Sequence, residues 1–139
     1  MKIAFLVGRR LLMAAPLFCV LLIFLANPTA AMAHARVVHS DPEANAELQK
    51  SPRRIELWFN ELLEEGFNVM EVFASRETKS PQRTNRTDGK PAVDPDDRTH
   101  LTVGIHELPP GEYVVQWRVL SRDGHSAPGR FTFRVLDEK

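Results

Sequence analysis

The sequence predicts an all-β fold built as two packed antiparallel sheets. Three observations carry that prediction: apolar residues alternate with polar ones at a period of two, turn-forming residues punctuate the alternating runs, and helical periodicity is scarce. A first strand is expected over residues 35–40, ended by Ser40-Asp41-Pro42, and residues 44–50 leave room for one helical turn. After Ser51-Pro52, the residues Ile55, Leu57 and Phe59 alternate between Arg54 and Asn60. Residues 61–66 again fit one helical turn, and residues 67–75 read as a further strand. The stretch 76–98 is polar and interrupted by Pro81, Asp88-Gly89, Pro91 and Pro95, so a long mobile loop is expected there, with room for one edge strand. Leu101, Val103 and Ile105 mark a short strand, and Pro109-Pro110-Gly111 has the residues of a type II turn. The two strongest strands follow. Tyr113, Val115, Trp117 and Val119 share one face with Gln116 and Arg118 on the other, and Phe131, Phe133 and Val135 alternate with Arg130, Thr132 and Arg134.

The leader has the three parts of a secretory signal. Lys2, Arg9 and Arg10 form a plain charged n-region, residues 11–25 are an unbroken apolar run, and Ala31-Met32-Ala33 is a small-x-small cleavage pattern. Cleavage is expected after Ala33. An uncleaved span is the rival, but it normally needs about 20 apolar residues, and this shorter run contains Pro16. The expected organisation is therefore a signal peptide over 1–33 and one exported domain over 34–139, located in the periplasm without a stable membrane anchor.

Removing the leader changes the composition. The whole chain of 139 residues balances 18 basic against 18 acidic side chains, but the leader holds three of the basic ones and no acid. The remaining 106 residues carry a formal charge of −3 and offer no basic patch for nucleic acid. The single cysteine, Cys19, also leaves with the leader, which excludes a disulfide scaffold. Any metal site must use nitrogen and oxygen ligands or Met70, the one methionine left.

Cleavage after Ala33 makes His34 the first residue. A free amino-terminal histidine offers its α-amine and its Nδ1 to one ion in a six-membered chelate, a donor pair suited to tetragonal Cu(II). Before cleavage that nitrogen is an amide and cannot serve. A second imidazole is available in Ser121-Arg122-Asp123-Gly124-His125, between the two strongest strands. Asp123 and His125 lie two apart, so in an extended segment both point the same way. Asp-Gly is equally an ordinary turn signal, and a neighbouring histidine is often only solvated.

Three stretches together resemble the CopC family of periplasmic copper-binding proteins: the mature start His-Ala-Arg-Val-Val-His-Ser-Asp-Pro, the run from Arg54 to Glu61, and the block from Leu108 through Ser-Arg-Asp-Gly-His to Phe133. The resemblance implies a small Greek-key β-sandwich or barrel, cupredoxin-like or immunoglobulin-like. It implies one Cu(II) ion per chain, bound by His34, His125 and Asp123, with Glu61 at a position where some members place a glutamate. An exposed acid at a strand end is the alternative for Glu61. Members that also bind Cu(I) use a methionine-rich loop, whereas residues 76–98 contain no methionine. The chain thus looks like the Cu(II)-only type, and the family often travels with a CopD-type inner-membrane protein as copper transport partner.

Two rival functions share these features. A copper oxygenase with an amino-terminal histidine would need an open ligand position, which Asp123 is poised to fill. A metal-free immunoglobulin-like module explains the strands but not the leading histidine. A non-catalytic copper carrier or sequestering protein, serving copper resistance or homeostasis, is the expected function. Elsewhere, Trp58 and Trp117 are expected in or beside the core and Met70 within it. His39 reads as a surface or capping residue, with a weak metal contact as its alternative. His100 and His106 show no partner spacing. Arg122 either pairs with Asp123 or stays solvated.

Overall fold

A computed structural model describes residues 35–137. Eight strands form two four-stranded sheets: β1 (Val37–Asp41), β2 (Glu47–Leu48), β3 (Arg54–Phe59), β4 (Val69–Ala74), β5 (Thr87–Val93), β6 (His100–Ile105), β7 (Gly111–Leu120) and β8 (Ser126–Val135). One sheet has the order β1-β3-β6-β5 and the other β2-β8-β7-β4. Every pairing is antiparallel except that of the two-residue β2 with β8. The expected all-β two-sheet sandwich is what forms. Among the described residues no helix is long and apolar enough to cross a membrane.

The alternation sets which face is buried. Ile55, Leu57 and Phe59 from β3 and Leu101, Val103 and Ile105 from β6 meet Met70 and Val72 from β4, Tyr113, Val115 and Val119 from β7, and Phe133 and Val135 from β8. Burying a side chain of this size is worth roughly 1.5–3 kcal/mol, so a one-residue slip in any of these strands is strongly disfavoured. Met70 is in the core, as expected. Tyr113 donates its hydroxyl to the carbonyl of Pro109 at 2.7 Å, tying β7 to the turn that precedes it, and burial pushes its phenol pKa up.

Three local expectations change. Residues 44–50 do not make a helical turn: Asn45 takes a left-handed conformation (φ 63°), its N–H donates to Thr132 O at 2.7 Å, and the chain then extends into β2. Residues 61–66 do not make a helical turn either: Leu63 bridges to Ser121, and the chain then turns at residues 65 and 66, with Gly66 at φ 81°. Residues 76–98 are far more structured than a mobile loop. A 3-10 turn at Ser75–Glu77 leads to a segment in which Arg83 lies over the Phe73 ring at 4.6 Å and pairs with Glu71 at 3.0 Å. Asn85 and Arg86 then take up the backbone of Val72, which protects part of the exposed edge of β4. β5 follows as a polar edge strand, and Pro91 falls where its register with β6 shifts, so the missing N–H costs no regular ladder bond.

Candidate metal centre

The hairpin between β7 and β8 closes with the last strand pair Leu120–Ser126, leaving residues 121–125 as its tip. Ser121 N–H donates to His125 O at 3.0 Å and Gly124 N–H to Ser121 O at 2.9 Å. Gly124 sits at φ 88°, a conformation that any side chain would strain. The tip therefore holds Asp123 and His125 in one fixed arrangement.

Within it the carboxylate of Asp123 is saturated with donors on one side. Its Oδ1 accepts the hydroxyl of Ser121 and the N–H of His125, the latter at 3.2 Å. Its Oδ2 lies 3.0 Å from His125 Nδ1. These contacts hold the Asp123 pKa at about 2, chiefly through the Ser121 hydroxyl and then through the ring and amide of His125. A carboxylate accepts but does not donate, so the Nδ1 facing it carries the proton in the neutral imidazole. The lone pair is then on Nε2, directed away from Asp123. A carboxylate that orients an imidazole in this way is a recurrent support for metal ligation. Asp123 Oδ2 keeps one further lone pair.

Ser121 is the functional residue that spacing did not single out. It is 1% exposed, buried beneath the tip, and donates to Asp123, whereas Arg122 takes the second of its two alternatives: its side chain is exposed and forms no ion pair among the described residues. The signal was present in the Ser-x-Asp-x-His string, where a hydroxyl two residues before a carboxylate is an available donor. Ser is common enough in turns that this signal decides nothing alone.

The segment after β3 runs against the same tip. Arg122 N–H donates to Leu62 O at 2.9 Å and Glu64 N–H to Leu120 O at 2.8 Å, on either side of the Leu63–Ser121 bridge. Leu63 is fully buried and anchors this segment. Glu61 lies two residues before Leu63 on this segment. Glu61 is half-buried and forms no ion pair among the described residues. At the other side of β3, Arg36 N–H donates to Asn60 Oδ1 at 2.7 Å and Asn60 N–H to Arg36 O at 3.1 Å. Ala35 is buried beside the core.

His34, the expected amino-terminal ligand, lies outside the described residues, as does the whole expected signal peptide. Among the described residues no three His, Cys, Asp or Glu side chains are grouped to hold a metal ion. What they provide is the oriented Asp123–His125 pair, with Glu61 on the neighbouring segment.

The remaining expectations divide. Trp117 packs on the core, edge-on to Phe59 (6.4 Å, 81°) and beside Phe131 (5.9 Å). Trp58 does not: it alternates with Leu57 and Phe59 onto the opposite face of β3, because strand periodicity outweighs its size. There it stacks between His39 (4.8 Å) and His100 (4.3 Å, planes 1° apart). His100 has partners after all, Glu56 and Asp94, which strand pairing brings from distant positions. His39 and His106 are exposed.

These residues build a two-sheet β-sandwich with a carboxylate-oriented imidazole at one hairpin tip. The chain belongs to the CopC family: the CopC domain matches residues 37–136. It is 34% identical over 118 residues to copper transport protein CutJ of Bacillus subtilis (strain 168), an alignment that covers 84% of this chain but only 21% of that longer protein. Among solved structures, it is similar to CopC from Methylosinus trichosporium OB3b (TM-score 0.64, 28% identity, 76% of this chain and 97% of that one). It is also similar to PcoC, a methionine-rich copper resistance protein from Escherichia coli (TM-score 0.62, 30% identity, 74% of this chain and 99% of that one).

Proposed function

We propose that this chain is an exported, non-catalytic Cu(II)-binding protein that sequesters or carries one copper ion in the periplasm. The ligands are the α-amine and Nδ1 of His34, exposed by removal of residues 1–33, together with His125 Nε2. Asp123 orients His125 and offers its remaining Oδ2 lone pair to the ion, and Glu61 flanks the site. The observation that carries this reading is the hairpin tip, where Ser121 holds the Asp123 carboxylate and that carboxylate orients the His125 imidazole. Further support comes from the entry of the chain at Ala35 and Arg36, since Arg36 is bound to Asn60, the neighbour of Glu61.

The donor set argues for Cu(II) and against catalysis. Three nitrogens and a carboxylate fill the strong positions of a tetragonal ion, leaving none for substrate activation. Membership of the CopC family, with relatives named for copper transport and copper resistance, supports copper as the cargo and copper resistance or homeostasis as the setting. A thioether Cu(I) site has no basis in the mature chain, because Met70 is 2% exposed within the core. A CopD-type inner-membrane protein is the partner to which copper would pass.

The test is a competition titration with Cu(II). His34→Ala and His125→Ala should each weaken binding by orders of magnitude without unfolding the domain, and Asp123→Ala by about 10- to 100-fold. Protons compete with copper for the amine and imidazole nitrogens, so affinity should fall on acidification. Wild-type affinity in either histidine variant would remove that residue from the ligand set.

A further inference from the structure

On the outer face of the β1-β3-β6-β5 sheet, away from the hairpin tip, His100 is held between two carboxylates. Its side chain is 12% exposed. Nε2, buried from solvent, lies 3.2 Å from Glu56 Oε1, a contact too poorly aligned to be a directional hydrogen bond. Nδ1 lies 3.4 Å from Asp94 Oδ2, and the ring is stacked flat on Trp58. A neutral imidazole has one donor and one acceptor nitrogen, so it must turn a lone pair toward one of the two carboxylates. Only the form protonated at both nitrogens turns a proton toward each carboxylate, as a hydrogen bond to Asp94 and a charge contact with Glu56.

We propose that His100 is a proton-operated latch: doubly protonated, it ties β3 to the turn between β5 and β6, and on losing a proton it keeps Nε2–H toward Glu56 and releases Asp94. The choice of side follows from burial. A lone pair on Nε2 would face a carboxylate with no water to separate them, whereas Asp94 is 37% exposed and is solvated once released. The other charged groups around the ring favour the same outcome. From β3, Arg54 Nε holds the second oxygen of Glu56 at 3.4 Å. From β1, His39 stacks on the far face of Trp58 and Asp41 pairs in register with Glu56. From the turn, the Asp94 pKa is lowered chiefly by the N–H of Asp96 and then by the hydrogen bond from His100, and the Asp97 pKa is lowered chiefly by Thr99, with the His100 charge a lesser cause for both.

The released element matters because of what it grips. Residues 94–99 form one hydrogen-bonded unit: Asp94 Oδ1 accepts the N–H of Asp96, and Asp97 Oδ1 accepts both the N–H and the hydroxyl of Thr99. From this unit Arg98 O accepts Leu63 N–H at 2.8 Å, Arg98 Nη2 donates to Leu63 O at 2.8 Å, and Nη1 pairs with Glu65 at 3.1 Å. Leu63 is the residue bridged to Ser121 at the hairpin tip. Backbone bonds from Asp94 N–H to His100 O (3.0 Å) and from His100 N–H to Asp97 O (2.9 Å) hold the turn in both states, so the latch slackens the turn without detaching it, and with it the segment that backs Asp123 and His125.

The experiment is NMR on the full chain without copper, from acid to alkaline pH. The ring nitrogen shifts of His100 report its tautomer, and hydrogen exchange at the Leu63 amide, corrected for intrinsic base catalysis, reports the grip of Arg98. The expected result is an Nε2–H tautomer above the His100 titration and a coincident rise of about fivefold or more in Leu63 exchange. Asp94→Asn, at an exposed turn, should abolish the step at Leu63 while His100 still titrates. An Nδ1–H tautomer, Leu63 exchange that ignores the His100 titration, or an unchanged step in Asp94→Asn would each overturn the latch.

Discussion

Gly129 lies beneath Trp117 on the hairpin that carries the candidate site, and Gly129→Ala tests that packing. The two residues are cross-strand partners in the β7–β8 ladder. A Cβ on residue 129 would lie 2.3 Å from Cζ2 and 2.5 Å from Cε2 of the indole, whereas carbon atoms pack at about 3.5–4.0 Å. Gly129 has no left-handed conformation to preserve, so the whole effect is steric. A shift of the ring disturbs its edge contact with Phe59 and its packing against Phe131. Overpacking of this kind costs about 1–3 kcal/mol. For a domain near 100 residues, each kcal/mol lowers Tm by about 4–8 °C, so a fall of about 10 °C is expected. Thermal unfolding followed by circular dichroism measures it, with the near-ultraviolet band reporting the indole environment. Gly104→Ala is the control, since its Cβ would meet Asp88 at an ordinary 3.5 Å. A Gly129→Ala variant with wild-type Tm and an unchanged near-ultraviolet spectrum would refute this packing.

Two further substitutions probe the hairpin. Ser121→Ala removes the main support of the Asp123 charge, so the carboxyl should titrate well above about 2, toward its ordinary 3.8, as read by carbon NMR of the copper-free chain. Because the folded-state pKa is depressed, the Asp123 contribution to stability is full above 3.8 and is lost as pH falls toward about 2; Ser121→Ala should narrow that window. An Asp123 titration unmoved by the substitution would show that the hydroxyl does not set its charge. Tyr113→Phe deletes the 2.7 Å bond to Pro109 O and should cost about 0.5–1.5 kcal/mol in urea unfolding, with the fold retained. No loss of stability would mean that water replaces the hydroxyl there.

What the sequence revealed and what it hid follow from range. Period-two alternation made β3, β6, β7 and β8 legible because the core selects one face of each strand. β5 was not predicted firmly because an edge strand with Lys90 and Pro91 is polar by necessity. Helical turns were expected over 44–50 and 61–66 because each is a short polar stretch with an apolar residue or two. The paths they take instead depend on distant backbone partners, Thr132 for Asn45 and Ser121 for Leu63. At the hairpin tip, Asp123 and His125 could be paired by spacing alone, and the family resemblance added Glu61. The part played by Ser121 needed the third dimension, because burial beneath the tip turns a common turn residue into a fixed donor. The same holds for the His39–Trp58–His100 stack, whose members are adjacent only through the pairing of three strands.

The claim at the centre of this account is that copper is held by the free amine of His34 together with His125. The most direct measurement is native mass spectrometry with Cu(II) on two forms of the exported chain, one beginning at His34 and one carrying a single glycine before it. The added residue leaves every side chain in place and converts the ligating amine to an amide. The account predicts one copper per chain in the first form and loss of that copper to a competing chelator in the second. Equal retention of copper by both forms would contradict the amino-terminal chelate.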